Sequence, residues 1–222
     1  MVVGDRHFYR TVDGHGLAHD PFNAIVGPRP IGWISTRSAD GVANLAPYSF
    51  FNAFSYTPPL IGFSSIGWKD TVANIAATGE FVWNLATRPL AEAMNLTSAS
   101  LPAADDEFAC SGLTSEHSRL IGAPLVGESP VNFECKLTQL IRLTDLEGKD
   151  SASWLVVGQV VAVHIDRRLL VDGVYDTAAA APILRAGGPA AYAAVTPDVM
   201  FSMTRPDDRA DEKGRHADDH HQ

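Results

Sequence analysis

Thirteen positions between residues 35 and 71 carry the groups most able to do chemistry. Ser35 and Thr36 end one apolar run, and Asn44 follows a turn. Ala46, Pro47, Tyr48, Ser49 and Phe50 form a mixed segment with accessible backbone amides. Ser64 and Ser65 end another apolar run, and Lys69, Asp70 and Thr71 open a helix. Hydroxyls donate to phosphate oxygens with little steric demand. A helix start offers unpaired N–H groups and the positive end of a dipole, and Lys69 adds a full charge. Together these groups describe a phosphate-binding rim. Each also has a plainer reading. Asp70 or Thr71 can simply cap the helix, Lys69 can be a solvated lysine, and Ser35-Thr36 can simply end a strand.

The common catalytic signatures are absent. Gly14-His15-Gly16 opens like a dinucleotide fingerprint, but position 19 is His and no strand precedes it. Gly62-Phe63-Ser64-Ser65-Ile66-Gly67 misses the GxSxG spacing. There is no Walker A sequence, no HExxH and no CxxC pair. Cys110 and Cys135 read as two reduced thiols. No metal site is assigned; His216, His220 and His221 lack a completing ligand and read as solvated. His164 sits in a strand pattern and reads as a satisfied buried or interfacial histidine. Trp33 and Trp83 read as core, whereas Trp68, beside Lys69, reads as a site wall.

The elements that must position the rim are mostly strands. Ile31 to Thr36, Ala43 to Ala46, and Leu60 to Ser64 read as strands, with a turn at Asp40-Gly41. Phe81, Trp83 and Leu85 alternate with more polar positions, as do Val131, Phe133, Cys135 and Leu137. The phase shift at Gln139-Leu140 predicts a bulge. Trp154 to Ile165 is apolar on both faces, so it is a central strand or a subunit contact. Val199 to Met203 reads as a last strand. Short helices are expected over Asp70 to Thr78, ended by Gly79, near Pro89, and over Thr177 to Leu184. The sum is an antiparallel β-barrel with helical additions, not the strand–helix alternation of a doubly wound sheet.

The 222 residues suit one barrel domain, with residues 1–19 as an N-terminal extension, 20–204 as the domain and 205–222 as a disordered tail. The tail has six acids, four bases and no large apolar residue. A net charge of −9 opposes general binding to nucleic acid or anionic membranes. It still permits one local phosphate site. No apolar stretch reaches the roughly 20 residues of a membrane span, and the first ten residues lack a signal-peptide pattern. A cytoplasmic protein is expected.

Four blocks together resemble the flavin reductase-like, FMN-binding split-barrel proteins. They are Arg29-Pro30-Ile31-Gly32-Trp33-Ile34-Ser35-Thr36, Asp40 to Asn52, Lys69-Asp70-Thr71 with Asn74-Ile75, and Gly79-Glu80-Phe81-Val82-Trp83-Asn84. Phe133-Glu134-Cys135, Gly158-Gln159-Val160 and Arg185 to Tyr192 extend the resemblance. It implies a mainly β fold, a six-stranded antiparallel split β-barrel of Greek-key type with short peripheral helices. It also implies a homodimer with FMN at the barrel rim. In that comparison Ser35 and Thr36 lie toward the ribityl phosphate. Asn44 and the Ala46–Phe50 backbone, through Pro47, Tyr48 and Ser49, line the isoalloxazine. Ser64, Ser65, Lys69 and Thr71 hold the phosphate, and Asp70 caps the helix or meets a ribityl hydroxyl. The implied activity is NAD(P)H:flavin reduction, with NADH or NADPH as donor and flavin, oxygen or a partner monooxygenase as acceptor. A flavoredoxin-like carrier, an FMN enzyme acting on an organic substrate and a non-catalytic flavin-binding protein are the alternatives. Hydride transfer requires no dedicated acid or base, so no catalytic side chain is assigned.

Overall fold

The computed structural model describes residues 4–99 and 106–206. The residues of the proposed tail from 207 onward lie outside the described residues. Seven strands build the main sheet: β1 (Gly32–Arg37), β2 (Ala43–Tyr48), β3 (Phe51–Ser55), β4 (Leu60–Ile66), β5 (Glu80–Asn84), β6 (Val131–Thr144) and β7 (Asp150–Ile165). Their order is β2-β1-β5-β6-β7-β4-β3, antiparallel at every pairing. The edges β2 and β3 are consecutive in the chain, joined by Ser49 and Phe50 alone. The sheet must therefore curl until its edges meet. Counted as one bent strand, β2 and β3 reduce the seven to the six of a split barrel. Across the seam the Tyr48 and Phe63 rings lie 4.5 Å apart, while the Ser64 N–H extends the β3–β4 ladder to the Phe50 carbonyl at 2.8 Å.

Strand β1 is buried on both faces, which explains why its apolar run is continuous. One face joins Ile34, Tyr48, Ile61, Phe63, Phe81, Cys135, Val156 and Val160 inside the barrel. Helix α1 (Asp70–Thr78) packs on this cluster through Val72 and Ile75, both fully buried. The other face sends Trp33 against Leu45, Met94, Phe108 and Val126, under α2 (Ala91–Leu96) and α3 (Glu107–Ser111). Full burial of each such aliphatic or aromatic side chain contributes about 1.5–3 kcal/mol. Gly79, at φ 73°, ends α1 as a left-handed cap whose N–H donates to the Ile75 carbonyl.

The bulge appears where the phase shift predicts it. Val157 pairs with Gln139 and Gly158 with Leu137, leaving Thr138 as the extra residue. Strand β7 is central, between β6 and β4. Both thiols are free, with Cys135 buried and its ionisation pushed upward by that burial. Among the described residues no helix is long and apolar enough to cross a membrane.

Three expected elements differ. No helix covers Thr177 to Leu184. Ala181 takes a positive φ of 47°, and Ile183–Arg185 forms a strand between Arg29–Pro30 and Tyr192–Ala194. The alanine-rich composition loses to these tertiary hydrogen bonds, including Ile183 N–H to the Ala86 carbonyl. Val199 to Met203 finds no strand partner; Pro197–Val199 is a short 3-10 turn and the residues after it are exposed. Near Pro89 the expected helix opens as a 3-10 turn, Arg88–Leu90, before α2.

Gly158 lies directly under the Phe81 ring. A Cβ there would come within 2.4 Å of that ring, which is fully buried and has no room to withdraw. Gly158→Ala is expected to destabilise the barrel by about 1–3 kcal/mol, read as a lowered urea midpoint with unchanged slope.

Candidate functional site

The seam leaves a cavity of about 540 Å³ where the end of β2, the end of β4 and the starts of α1 and α3 converge. Such a volume suits a cofactor-sized ligand. Ten of the thirteen expected positions line it: Asn44, Ala46, Pro47, Tyr48, Ser49, Phe50, Ser64, Lys69, Asp70 and Thr71. Barrel closure is what brings them together, because it sets β2 beside β4, with the Tyr48 ring against Phe63.

The polar end is built around α1. Lys69 is the residue before the helix, extended at φ −87° and ψ 169° and exposed. No side chain caps this helix. Asp70 therefore does not act as the expected cap; it occupies the first turn, exposed. The first-turn N–H groups keep their partial positive charge for another acceptor. Thr71 is almost fully buried, and its Oγ1 accepts from Asn44 Nδ2 at 2.9 Å. That bond fixes the threonine rotamer and leaves its hydroxyl proton free to donate elsewhere. Ala46, Pro47, Phe50 and Ile66 supply the apolar wall.

Tyr48 is buried, and its Oη has no hydrogen-bond partner among the described residues. Burial pushes its phenol pKa up. The nearby Thr71 and Ser65 hydroxyls oppose that shift without being aligned to bond Oη. An orphaned buried hydroxyl of this kind is costly unless something occupies the space beside it. The donors, the cation and the flat apolar wall fit a phosphorylated aromatic cofactor.

Ser35, Thr36 and Ser65 are not brought to the cavity. All three are fully buried. Ser35 Oγ donates to the Pro124 carbonyl at 2.5 Å and accepts from Asn84 Nδ2. Thr36 Oγ1 accepts from Asn74 Nδ2 at 3.1 Å, holding α1 on β1. Ser65 Oγ donates to the Gly67 carbonyl at 3.0 Å. Strand alternation separates Ser65 from its neighbour Ser64, which does line the cavity. Trp68 is not a wall of this cavity either. It packs edge-on against Trp154 at 4.6 Å, and Arg142 lies over the Trp154 ring.

Sequence reading misses Asn23, Thr97, Ser98, Ala99 and Glu107, which complete the lining. Thr97 had a signal. Trp33 is fully buried, its indole N–H needs an acceptor, and it donates to Thr97 Oγ1 at 3.0 Å. Glu107 follows Asp106, whose side chain accepts from the Phe108 N–H and caps α3. Its own carboxylate accepts weakly from the Leu45 N–H at 3.2 Å. Burial, and secondarily the charges of Asp106 and Asp70, holds the Glu107 carboxyl above the ordinary range.

The model of the flavin reductase like domain matches residues 27–183. The protein YwrF of Bacillus subtilis is 35% identical over 159 residues, 68% of this chain and 77% of its own. Among solved structures, nitrilotriacetate monooxygenase component B from Bacillus cereus superposes with a TM-score of 0.75 at 32% identity, covering 82% of this chain and 90% of that one. The 2-nitrobenzoate 2-nitroreductase NbaA of Pseudomonas fluorescens follows with a TM-score of 0.73 at 29% identity, covering 82% and 88%.

His164 lies outside the cavity and is satisfied, as its strand position implied. Its Nε2 meets Glu134 Oε1 at 2.6 Å. Glu134 is fully buried on β6 and also accepts the Arg119 and Leu120 N–H groups at 2.8 and 2.7 Å. Burial alone would raise its pKa, but these three donors outweigh it and hold the carboxyl below the ordinary range. A lowered pKa stabilises the fold above the unfolded carboxylate value, and the contribution disappears as pH falls through the folded one. Glu134→Gln is expected to cost about 3 kcal/mol at neutral pH. The gap from wild type should narrow below pH ~4, as read from urea unfolding across that range. A gap that stays constant with pH would remove the ionised carboxylate from this account.

Proposed function

The chain belongs to the flavin reductase-like family, and from that premise we propose that it binds FMN in the cavity beneath the Ser49–Phe50 link and works as an NAD(P)H:flavin oxidoreductase. The observation that carries this reading is the polarity of one cavity. Lys69, the uncapped start of α1, and the Ser64 and Thr71 hydroxyls gather at one end, and an apolar wall stands beside them. The cation, the helix N–H groups and the two hydroxyls bind the phosphate. Asn44 orients Thr71 for that contact. Ala46, Pro47 and Phe50 hold the ring system and exclude water from one face. Bound flavin supplies the chemistry, taking up a hydride from a nicotinamide and passing electrons to an acceptor. No side chain of the cavity is required as acid or base. The component B relative supports a role beside a partner monooxygenase, and a homodimer is the expected assembly.

A second reading is reduction of an organic substrate by the flavin protein itself. The similarity to a 2-nitrobenzoate 2-nitroreductase favours it.

Purified protein mixed with FMN is expected to show bound-flavin absorption that bleaches on anaerobic addition of NADH or NADPH. Bound flavin that stays coloured with both would move the function to a carrier reduced by another protein. Absence of flavin binding would overturn the reading altogether. Lys69→Ala should weaken FMN about tenfold, the scale of one exposed charge-assisted hydrogen bond near 1.4 kcal/mol. Fluorescence titration measures it.

A further inference from the structure

Arg29 is buried, with 9% of its surface exposed, and among the described residues no carboxylate neutralises its charge. Its Nε donates to the Ser49 carbonyl at 2.9 Å. Its Nη1 donates to the Asn23 carbonyl at 2.5 Å and to the Val26 carbonyl. The guanidinium carbon stands 5.3 Å from the Phe50 ring centroid. Among the described residues no carboxylate pairs with it. Carbonyl oxygens satisfy donors but bring no net negative charge, so the cationic field persists in a low-dielectric setting where it acts strongly.

The location gives that charge a use. Asn23, Ser49 and Phe50, all contacted by Arg29, line the 540 Å³ cavity. Arg29 itself lines an adjoining, mainly apolar cavity of about 420 Å³, which shares Phe50 and Ser64 with the first. The guanidinium thus stands behind the Ser49–Phe50 wall, away from Lys69 and the start of α1. A neutral side chain of similar length could fill the space. A charged fork that spends its hydrogen bonds on three carbonyls costs desolvation, and the wall alone does not require it.

We propose that Arg29 is a positioning residue of the flavin site, holding the Ser49–Phe50 wall and supplying the buried positive charge that makes the cavity favour the reduced, anionic form of the flavin ring. The proposal rests on the FMN reading above. It works against Asp70 and Glu107, the two acidic side chains of the same cavity, which disfavour an anion there. Preference between redox forms follows from differential binding: tighter binding of one form shifts the redox equilibrium toward it by the ratio of the two affinities.

The test is anaerobic titration of the full chain, and of Arg29→Met and Arg29→Lys, with oxidised and with chemically reduced FMN. Wild type is expected to bind reduced FMN at least tenfold more tightly than oxidised FMN, which raises the two-electron potential by about 30 mV. Arg29→Met should lose that preference while changing oxidised-FMN affinity less, and Arg29→Lys, which keeps the charge, should retain it. Equal loss of both forms in Arg29→Met, or an unchanged preference, overturns the proposal and leaves Arg29 as a structural clamp. If Arg29→Met does not fold, the wild-type ratio decides: no preference for reduced FMN overturns the proposal, and a preference that survives in Arg29→Lys supports it. Failure of wild type to bind either form is a different result, because it removes the flavin reading itself and this inference falls with it.

Discussion

The chain passes from one edge of its main sheet to the other in two residues, Ser49 and Phe50, and that constraint shapes everything around it. Two residues reach only about 7 Å, so β2 and β3 can be opposite edges only if the sheet closes on itself. Closure brings β4 alongside β2, and the β3–β4 ladder runs on into the link through the Ser64 N–H and the Phe50 carbonyl. It also buries Tyr48 against Phe63. The same short link forms a wall of the cavity, so barrel geometry and cavity geometry depend on one stretch of backbone. Arg29 holds that stretch from behind through the Ser49 carbonyl.

The cavity divides its labour by element. Helix α1 supplies charge and directed N–H groups because it starts at Lys69 without a side-chain cap. Strand β2 supplies a flat surface because Ala46 and Pro47 are small or rigid. The cost of this arrangement is visible in Tyr48, whose buried hydroxyl has no partner among the described residues. Elsewhere, buried polar groups are satisfied closely. Glu134 takes three donors, and Ser35, Asn84 and Asn132 share a network reaching the Val126 N–H. Among the described residues, the contrast marks the cavity as a place where the fold leaves hydrogen-bonding capacity unused.

Much of the site was legible because its residues come from four short blocks, each next to a strand or helix end that patterning reveals. Alternation in Val131 to Leu137 identifies β6, and the phase shift beyond it reports the bulge at Thr138. The resemblance then joined the blocks. Three hydroxyls stand away from the cavity for one physical reason. Ser35, Thr36 and Ser65 sit in strands, and the sequence does not say which face of a doubly buried strand meets a ligand and which meets a covering loop. Glu107 and Thr97 were missed for the converse reason. They reach the cavity from α3 and the end of α2, far along the chain and without a recognisable motif.

The sequence by itself determined the strand-rich class, the placement of α1 with its Gly79 stop, and the identity of the groups at the ends of β2 and β4. Those features follow from local periodicity, turn chemistry and the limited backbone freedom of each residue type. Tertiary structure decided the rest. It turned Thr177 to Leu184 from an alanine-rich helix candidate into a turn and a strand, because Ile183 found partners at Ala86 and in the Arg29–Pro30 strand. It also set the Arg29 guanidinium behind the cavity wall, where among the described residues no carboxylate pairs with it. The strand at Ile183 depends on groups more than ninety residues away, and local patterning does not encode such distances.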